Sequence, residues 1–256
     1  MALSSHDKAT LWSKVPEITL GFWIIKILTS TVGETVADSL AVWVWLGQLL
    51  TSTVMMSLLL VMLTLQIRKK LYSPAIYWIC VVLVSIVGTQ ITDILTDRLG
   101  VSLYISTAIF SIILSIVFWI WYLQERTLSI HTINTRKREL FYWWAILCAF
   151  ALGTATGDLA TEALSLGFSI GALCFGSLIG LSYLGWRLGS NAVLTFWIGY
   201  ILTRPFWAAL WDLLTQAREY GGLGIGAMWT SIIFLTTIIV LVSYAQVKYN
   251  SLQKKP

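Results

Sequence analysis

The segment Phe22–Asp38, FWIIKILTSTVGETVAD, constrains the fold most, because it occurs four times. The other copies are YWICVVLVSIVGTQITD (Tyr77–Asp93), YWWAILCAFALGTATGD (Tyr142–Asp158) and FWIGYILTRPFWAALWD (Phe196–Asp212). In every copy a Trp follows an aromatic residue, and an Asp lies fifteen positions after that Trp. Three copies place a glycine ten positions after the Trp, at Gly33, Gly88 and Gly153; the fourth has Trp207 there. Four matches at fixed offsets, in segments otherwise almost wholly apolar, mark an internal repeat, and a repeat of this period sets the architecture.

The copies lie in a chain of 256 residues that is 57% hydrophobic and only 11% charged, where soluble domains are roughly one quarter charged. A span needs about 20 apolar residues, so the sequence predicts an all-α polytopic membrane protein of eight transmembrane helices. The expected spans are 17–40, 43–65, 74–95, 103–123, 140–164, 167–184, 194–214 and 225–247. Taken in pairs they give four repeats, about 17–70, 74–126, 140–187 and 194–248, in a single membrane domain flanked by polar tails at 1–16 and 249–256.

The net charge of +5 belongs to the loops. Lys8, Lys14, Arg68, Lys69, Lys70, Arg126, Arg136, Lys137, Arg138, Arg187, Lys248, Lys254 and Lys255 fall on one side of the expected membrane, and only Arg98 and Arg218 on the other. The positive-inside rule therefore puts both termini in the cytoplasm and makes each repeat an out-and-back hairpin. Repeats of two spans insert in one orientation, as parallel repeats about an axis along the membrane normal. A quasi-fourfold ring of hairpins is the simplest closed arrangement. This charge distribution reports topology, and no nucleic-acid module accompanies it. Cys80, Cys148 and Cys174 lie inside apolar spans without paired spacing, and His6 and His131 lie outside the spans, so disulfide and His-metal chemistry are not expected. No cleavable leader is expected either, since the first sixteen residues are polar and the next apolar segment is interrupted by Lys26 and Glu34.

The repeat carries the candidate chemistry. At 1.5 Å per residue its Asp lies about 22 Å beyond its Trp, near the outer edge of the hydrocarbon. Asp38, Asp93, Asp158 and Asp212 then share one depth, and the residues one turn deeper are Glu34, Thr89, Thr154 and Ala208. Oxygen ligands without His or Cys favour Mg²⁺, Ca²⁺, Mn²⁺ or protons, so Glu34 and the four Asp are the candidate metal ligands, with Thr89 and Thr154 along the pathway. No other cofactor is expected. The rival reading of the Asp set is structural: a residue at each helix end that fixes a turn, caps the next helix or pairs with Arg98 or Arg218. Two cations lie within spans, Lys26 in the first and Arg204, followed by Pro205, in the seventh. Such groups face the bundle interior; they act as counter-charges, Arg204 balancing Glu34 or Asp158, or as a gate.

The stretches KVPEITLGFWIIKI, GETVAD, GTATGDLATE and TRPFWAALWD resemble a family of bacterial membrane-anchored proteins built of four copies of a short repeat of unknown function. The resemblance runs from Lys14 to the last span. It implies a four-repeat membrane architecture in the bacterial inner membrane, and it brings no activity or ligand. From the residues, the expected function is transport of a small hard cation or a proton, by a channel or a proton-coupled transporter. The alternative is a non-transporting scaffold or sensor partner whose basic loop 134–139 meets another protein or anionic lipid. An enzyme is not expected, since no nucleophile–base set, HExxH or phosphate loop is present. The partners expected are the lipid bilayer and a small cation or proton; a homo-oligomer stays open.

Overall fold

A computed structural model describes residues 13–43, 47–164 and 166–253, with the backbone alone for 32–43, 47–48, 162, 220, 227–228, 231 and 252–253. The described residues form eight long helices and no strand: α1 (Leu20–Trp43), α2 (Gly47–Arg68), α3 (Pro74–Asp93), α4 (Leu103–Glu125), α5 (Arg136–Asp158), α6 (Gly167–Arg187), α7 (Ala192–Thr215) and α8 (Ala227–Gln253). Their boundaries fall within a few residues of the expected spans, because turn chemistry interrupts the apolar runs. Ser102, Thr135 and Asn191 cap α4, α5 and α7 by accepting backbone N–H groups. Pro74 opens α3 in its first turn. Arg126 ends α4 in the left-handed region at φ 54°. One local feature was not expected: a π-turn follows each of two repeat Asp residues, at Ile94–Arg98 after Asp93 and Leu159–Ala163 after Asp158.

Seven helices of the described chain are long and apolar enough to cross a membrane; in α1 the apolar stretch described is Leu20–Thr31. The protein is a membrane protein. Burial divides its helices into two sets. Of the apolar windows of α3 and α5, 72% is buried, against 17% for those of α2, α4 and α6. The outer helices turn Leu60, Val61, Ile112, Trp119, Leu173 and Leu181 outward, a surface suited to lipid and not to water.

The first helix of each repeat packs on the first helix of the next: α1 on α3, α3 on α5, α5 on α7, and α7 back on α1. Equivalent positions meet. Tyr77 Oη lies 2.5 Å from Tyr142 Oη, just before the repeat Trp, and twelve residues later Thr89 Oγ1 lies 3.5 Å from Thr154 Oγ1. Phe22 and Phe196, the same position in α1 and α7, have ring centroids 6.2 Å apart. These four helices therefore run parallel and in register. The second helices are hairpin partners by connectivity, yet each packs most extensively on the following repeat: α2 on α3, α4 on α5, α6 on α7, and α8 on α1. Every repeat is thus clamped to the next by both of its helices.

The recurrent glycine has a steric cause. A Cβ on Gly153 would lie 2.5 Å from Arg204 Cβ and 2.6 Å from its Cγ, and one on Gly88 would lie 2.8 Å from Phe150 Cβ and 3.2 Å from the Ala151 backbone N. Glycine here lets one inner helix touch its neighbour, as small residues do between membrane helices. Gly153→Ala is expected to cost about 1–3 kcal/mol by overpacking, read as a lower unfolding midpoint in detergent; an unchanged midpoint would mean that α5 and α7 separate freely.

Candidate functional site

The axis between the four inner helices is polar along much of its length, and the groups on it come from equivalent turns of the repeats. At the end where these helices begin lies an aromatic layer of Phe22, Tyr77, Tyr142 and Phe196, all buried. Tyr77 and Tyr142 close it with their hydroxyl–hydroxyl bond.

Lys26 lies one turn further along, 1% exposed. Its ammonium donates to the Tyr200 carbonyl at 3.0 Å and to Thr203 Oγ1. Thr203 spends its own hydroxyl proton on the Tyr200 carbonyl at 2.8 Å, so its oxygen meets Lys26 with a lone pair. The ammonium also lies 4.6 Å from the centroid of the Tyr200 ring and 5.6 Å from that of Phe150, within cation–π range. Among the described residues no carboxylate lies within ion-pair distance of it. Two carbonyl or hydroxyl oxygens and two aromatic faces hold this buried charge.

Arg204 sits on α7 one turn beyond Tyr200, again 1% exposed. Its guanidinium reaches all three other inner helices. Nη1 donates to the Ser30 carbonyl of α1 at 3.3 Å, and Nη2 to Thr89 Oγ1 of α3 at 2.8 Å and Thr154 Oγ1 of α5 at 3.3 Å. Thr89 and Thr154 direct their protons to the Ser85 and Phe150 carbonyls, the backward bond usual for helical threonine. Their oxygens are left as acceptors. Pro205 lies inside α7 without ending it, and it packs over Gly157, whose Cβ would lie 3.5 Å from Pro205 Cα.

The structure thus brings Lys26, Arg204, Thr89 and Thr154 onto one axis. Both expected counter-charges are buried there, and both expected pathway threonines bond Arg204. Asp93 and Asp158 are half-buried at the last residues of α3 and α5, and Asp212 is half-buried in the last turn of α7. The side chains of Glu34 and Asp38 lie outside the described residues. Among the described residues, no three His, Cys, Asp or Glu side chains converge as a metal site would require. Sequence reasoning missed the acceptors: Tyr200 and Ser30 act through backbone carbonyls, which no residue type announces. Thr203 and the Tyr77–Tyr142 pair carried a usable signal, since they occupy repeat positions next to the singled-out ones.

Comparison with known proteins gives the same repeat. The family model described as Repeat of Unknown Function (DUF347) matches residues 21–72, 76–127 and 141–189, together more than half of the chain. The chain belongs to this family. No curated protein and no solved structure matches it. The three matches correspond to the first three repeats of this DUF347 protein and leave the fourth unmatched. That fourth repeat carries Arg204–Pro205, with Trp207 in place of the glycine and Ala208 in place of the Glu or Thr. The copy that departs most from the pattern is the one whose side chain fills the axis.

Proposed function

We propose that this DUF347 protein is a proton-coupled carrier for a small cation, built as a quasi-fourfold ring of repeats in a bacterial inner membrane with both termini cytoplasmic. One observation carries the reading: acceptor oxygens from all four repeats converge on an axis where two tethered cations, Lys26 and Arg204, occupy them. Such an axis is built to hold positive charge away from water, and intramembrane ionisable groups mark ion pathways. In this reading Glu34, Asp38, Asp93, Asp158 and Asp212 collect the cation at the outer end, and Lys26 and Arg204 are the counter-charges that it must displace or pass. The closed Tyr77–Tyr142 layer favours a carrier over an open channel.

A second reading, the scaffold, draws on the same closure: a filled axis also suits a ring that only holds its repeats together. Reconstituted vesicles containing a pH-sensitive dye separate the two. Under the carrier reading, an imposed gradient of Mg²⁺, Ca²⁺, Mn²⁺ or K⁺ moves protons, and the combined Asp93→Asn, Asp158→Asn and Asp212→Asn variant loses at least tenfold of that flux while keeping its fold. Proton movement no faster than in protein-free vesicles, with every one of these ions, would leave the scaffold.

A further inference from the structure

We propose that the nest around Lys26 is a binding site for a small primary ammonium ion, which the chain fills with its own lysine at rest. The assignment of this ion as the carrier's cargo rests on the proposed function; the binding site itself does not.

The nest has the parts that an ammonium group needs and a bare metal ion does not. Two acceptors, the Tyr200 carbonyl and Thr203 Oγ1, take two of the three N–H donors. The rings of Tyr200 and Phe150 flank the charge at 4.6 and 5.6 Å, a contact that contributes most where water is excluded. A hard divalent ion prefers six or more oxygens, carboxylates among them. Among the described residues this nest offers no carboxylate. Thr203 is fixed as an acceptor because its proton goes to Tyr200, so the site does not adapt to an anion. Thr29 and Ser30 anchor the α1 side, both donating to the Lys26 carbonyl at 2.8 and 2.9 Å.

A lysine held by oxygens and rings, with no carboxylate among the described residues to pair it, is a tethered copy of a free ammonium ion. Exchange conserves charge: one ammonium leaves the two oxygens as another takes them, no covalent bond changes, and the nest carries one positive charge before and after. The repeat places this nest two turns below the offset of Glu34, between the outer carboxylates and the aromatic closure. A cation moving along the axis meets it midway.

Deleting the tether tests the site. Lys26→Ala empties the nest and leaves both acceptors and both rings in place. Methylammonium chloride is expected to raise the unfolding midpoint of this variant saturably by several degrees, by ligand linkage. Tetramethylammonium, which has no N–H donor, sodium and choline should not do so at equal ionic strength, and the wild type should not respond. Lys26→Met, which refills the space with an apolar chain, should not respond either. No saturable effect of methylammonium on Lys26→Ala, or an equal effect of tetramethylammonium, overturns the proposal. If Lys26→Ala is recovered folded only when purified in methylammonium, that supports it; failure to recover it there also overturns it. The cargo is read separately, as labelled methylammonium taken up by wild-type vesicles above protein-free vesicles at pH 6. A variant that binds while wild-type vesicles take up nothing keeps the site and removes the carrier reading.

Discussion

Arg204→Ala is expected to destabilise the folded chain by about 3–5 kcal/mol, the scale for breaking a buried charged network and for truncating a large buried side chain. The guanidinium is a cross-tie. From α7 it bonds Ser30 of α1, Thr89 of α3 and Thr154 of α5, so one side chain links the first helices of all four repeats. Its aliphatic stem also fills the gap that Gly153 leaves, where a Cβ would already collide with Arg204 Cβ. Alanine removes these bonds and opens a void on the axis. Arg204→Lys separates charge from geometry: an ammonium keeps the charge but cannot spread two arms to three helices, so an intermediate loss is expected. Unfolding midpoints of wild type, Arg204→Lys and Arg204→Ala in one detergent check the order. Equal midpoints for the two variants would make the charge irrelevant, and an unshifted Arg204→Ala would detach Arg204 from the stability of the fold.

The fold was legible to the extent that it depends on single helices and on the repeat. Apolar runs of about 20 residues broken by basic or glycine-containing loops set the eight helices. Fixed offsets set their register, and Tyr77 does meet Tyr142, and Thr89 Thr154, at equal offsets. The packing of α2 and α4 on the following repeat was not legible, because both are apolar on nearly every face and offer no stripe that selects a neighbour; α6 does carry a small-residue face, and its Gly171 and Gly176 meet Ala209 and Phe206 of α7. At the candidate site, Lys26 and Arg204 stood out since charge inside a span is costly. Of their partners, Thr89 and Thr154 were legible from the repeat, whereas the Tyr200 and Ser30 acceptors were not, because they are main-chain carbonyls. The repeat Asp residues are equally visible in sequence, but their helix-end placement suits a turn as well as a ligand, and the π-turns after Asp93 and Asp158 show that the local backbone there is specialised in its own right.

The polar segment before α1 holds the last surprise and the second large effect. Lys14 counts in sequence as one more cytoplasmic charge, but it is 5% exposed, and its ammonium donates to Glu139 Oε2 at 2.5 Å and to the Ile67 carbonyl at 3.0 Å. Gln66 Nε2 completes the cluster, donating to Glu139 Oε1 at 3.1 Å and to the Lys14 carbonyl at 3.3 Å. The Lys14 amide donates to the Ile133 carbonyl at 2.9 Å. One residue thus joins the entry segment of the first repeat to the end of α2, to the start of α5 and to the loop between the second and third repeats. Glu139 is 0% exposed, so Lys14→Met strands a buried carboxylate and is expected to cost about 3–5 kcal/mol. The pair need not be stabilising against an apolar or neutral replacement, since desolvation offsets most of the Coulomb gain. Adding Glu139→Gln to Lys14→Met should therefore recover more than half of the loss, and the double-mutant cycle should give a coupling of about 1–3 kcal/mol. Additive effects would show that Lys14 acts through its backbone contacts to Ile133 and Gln66. Coupled effects would show that the ion pair itself fastens the entry segment to the start of α5, one turn before Tyr142 of the Tyr77–Tyr142 pair.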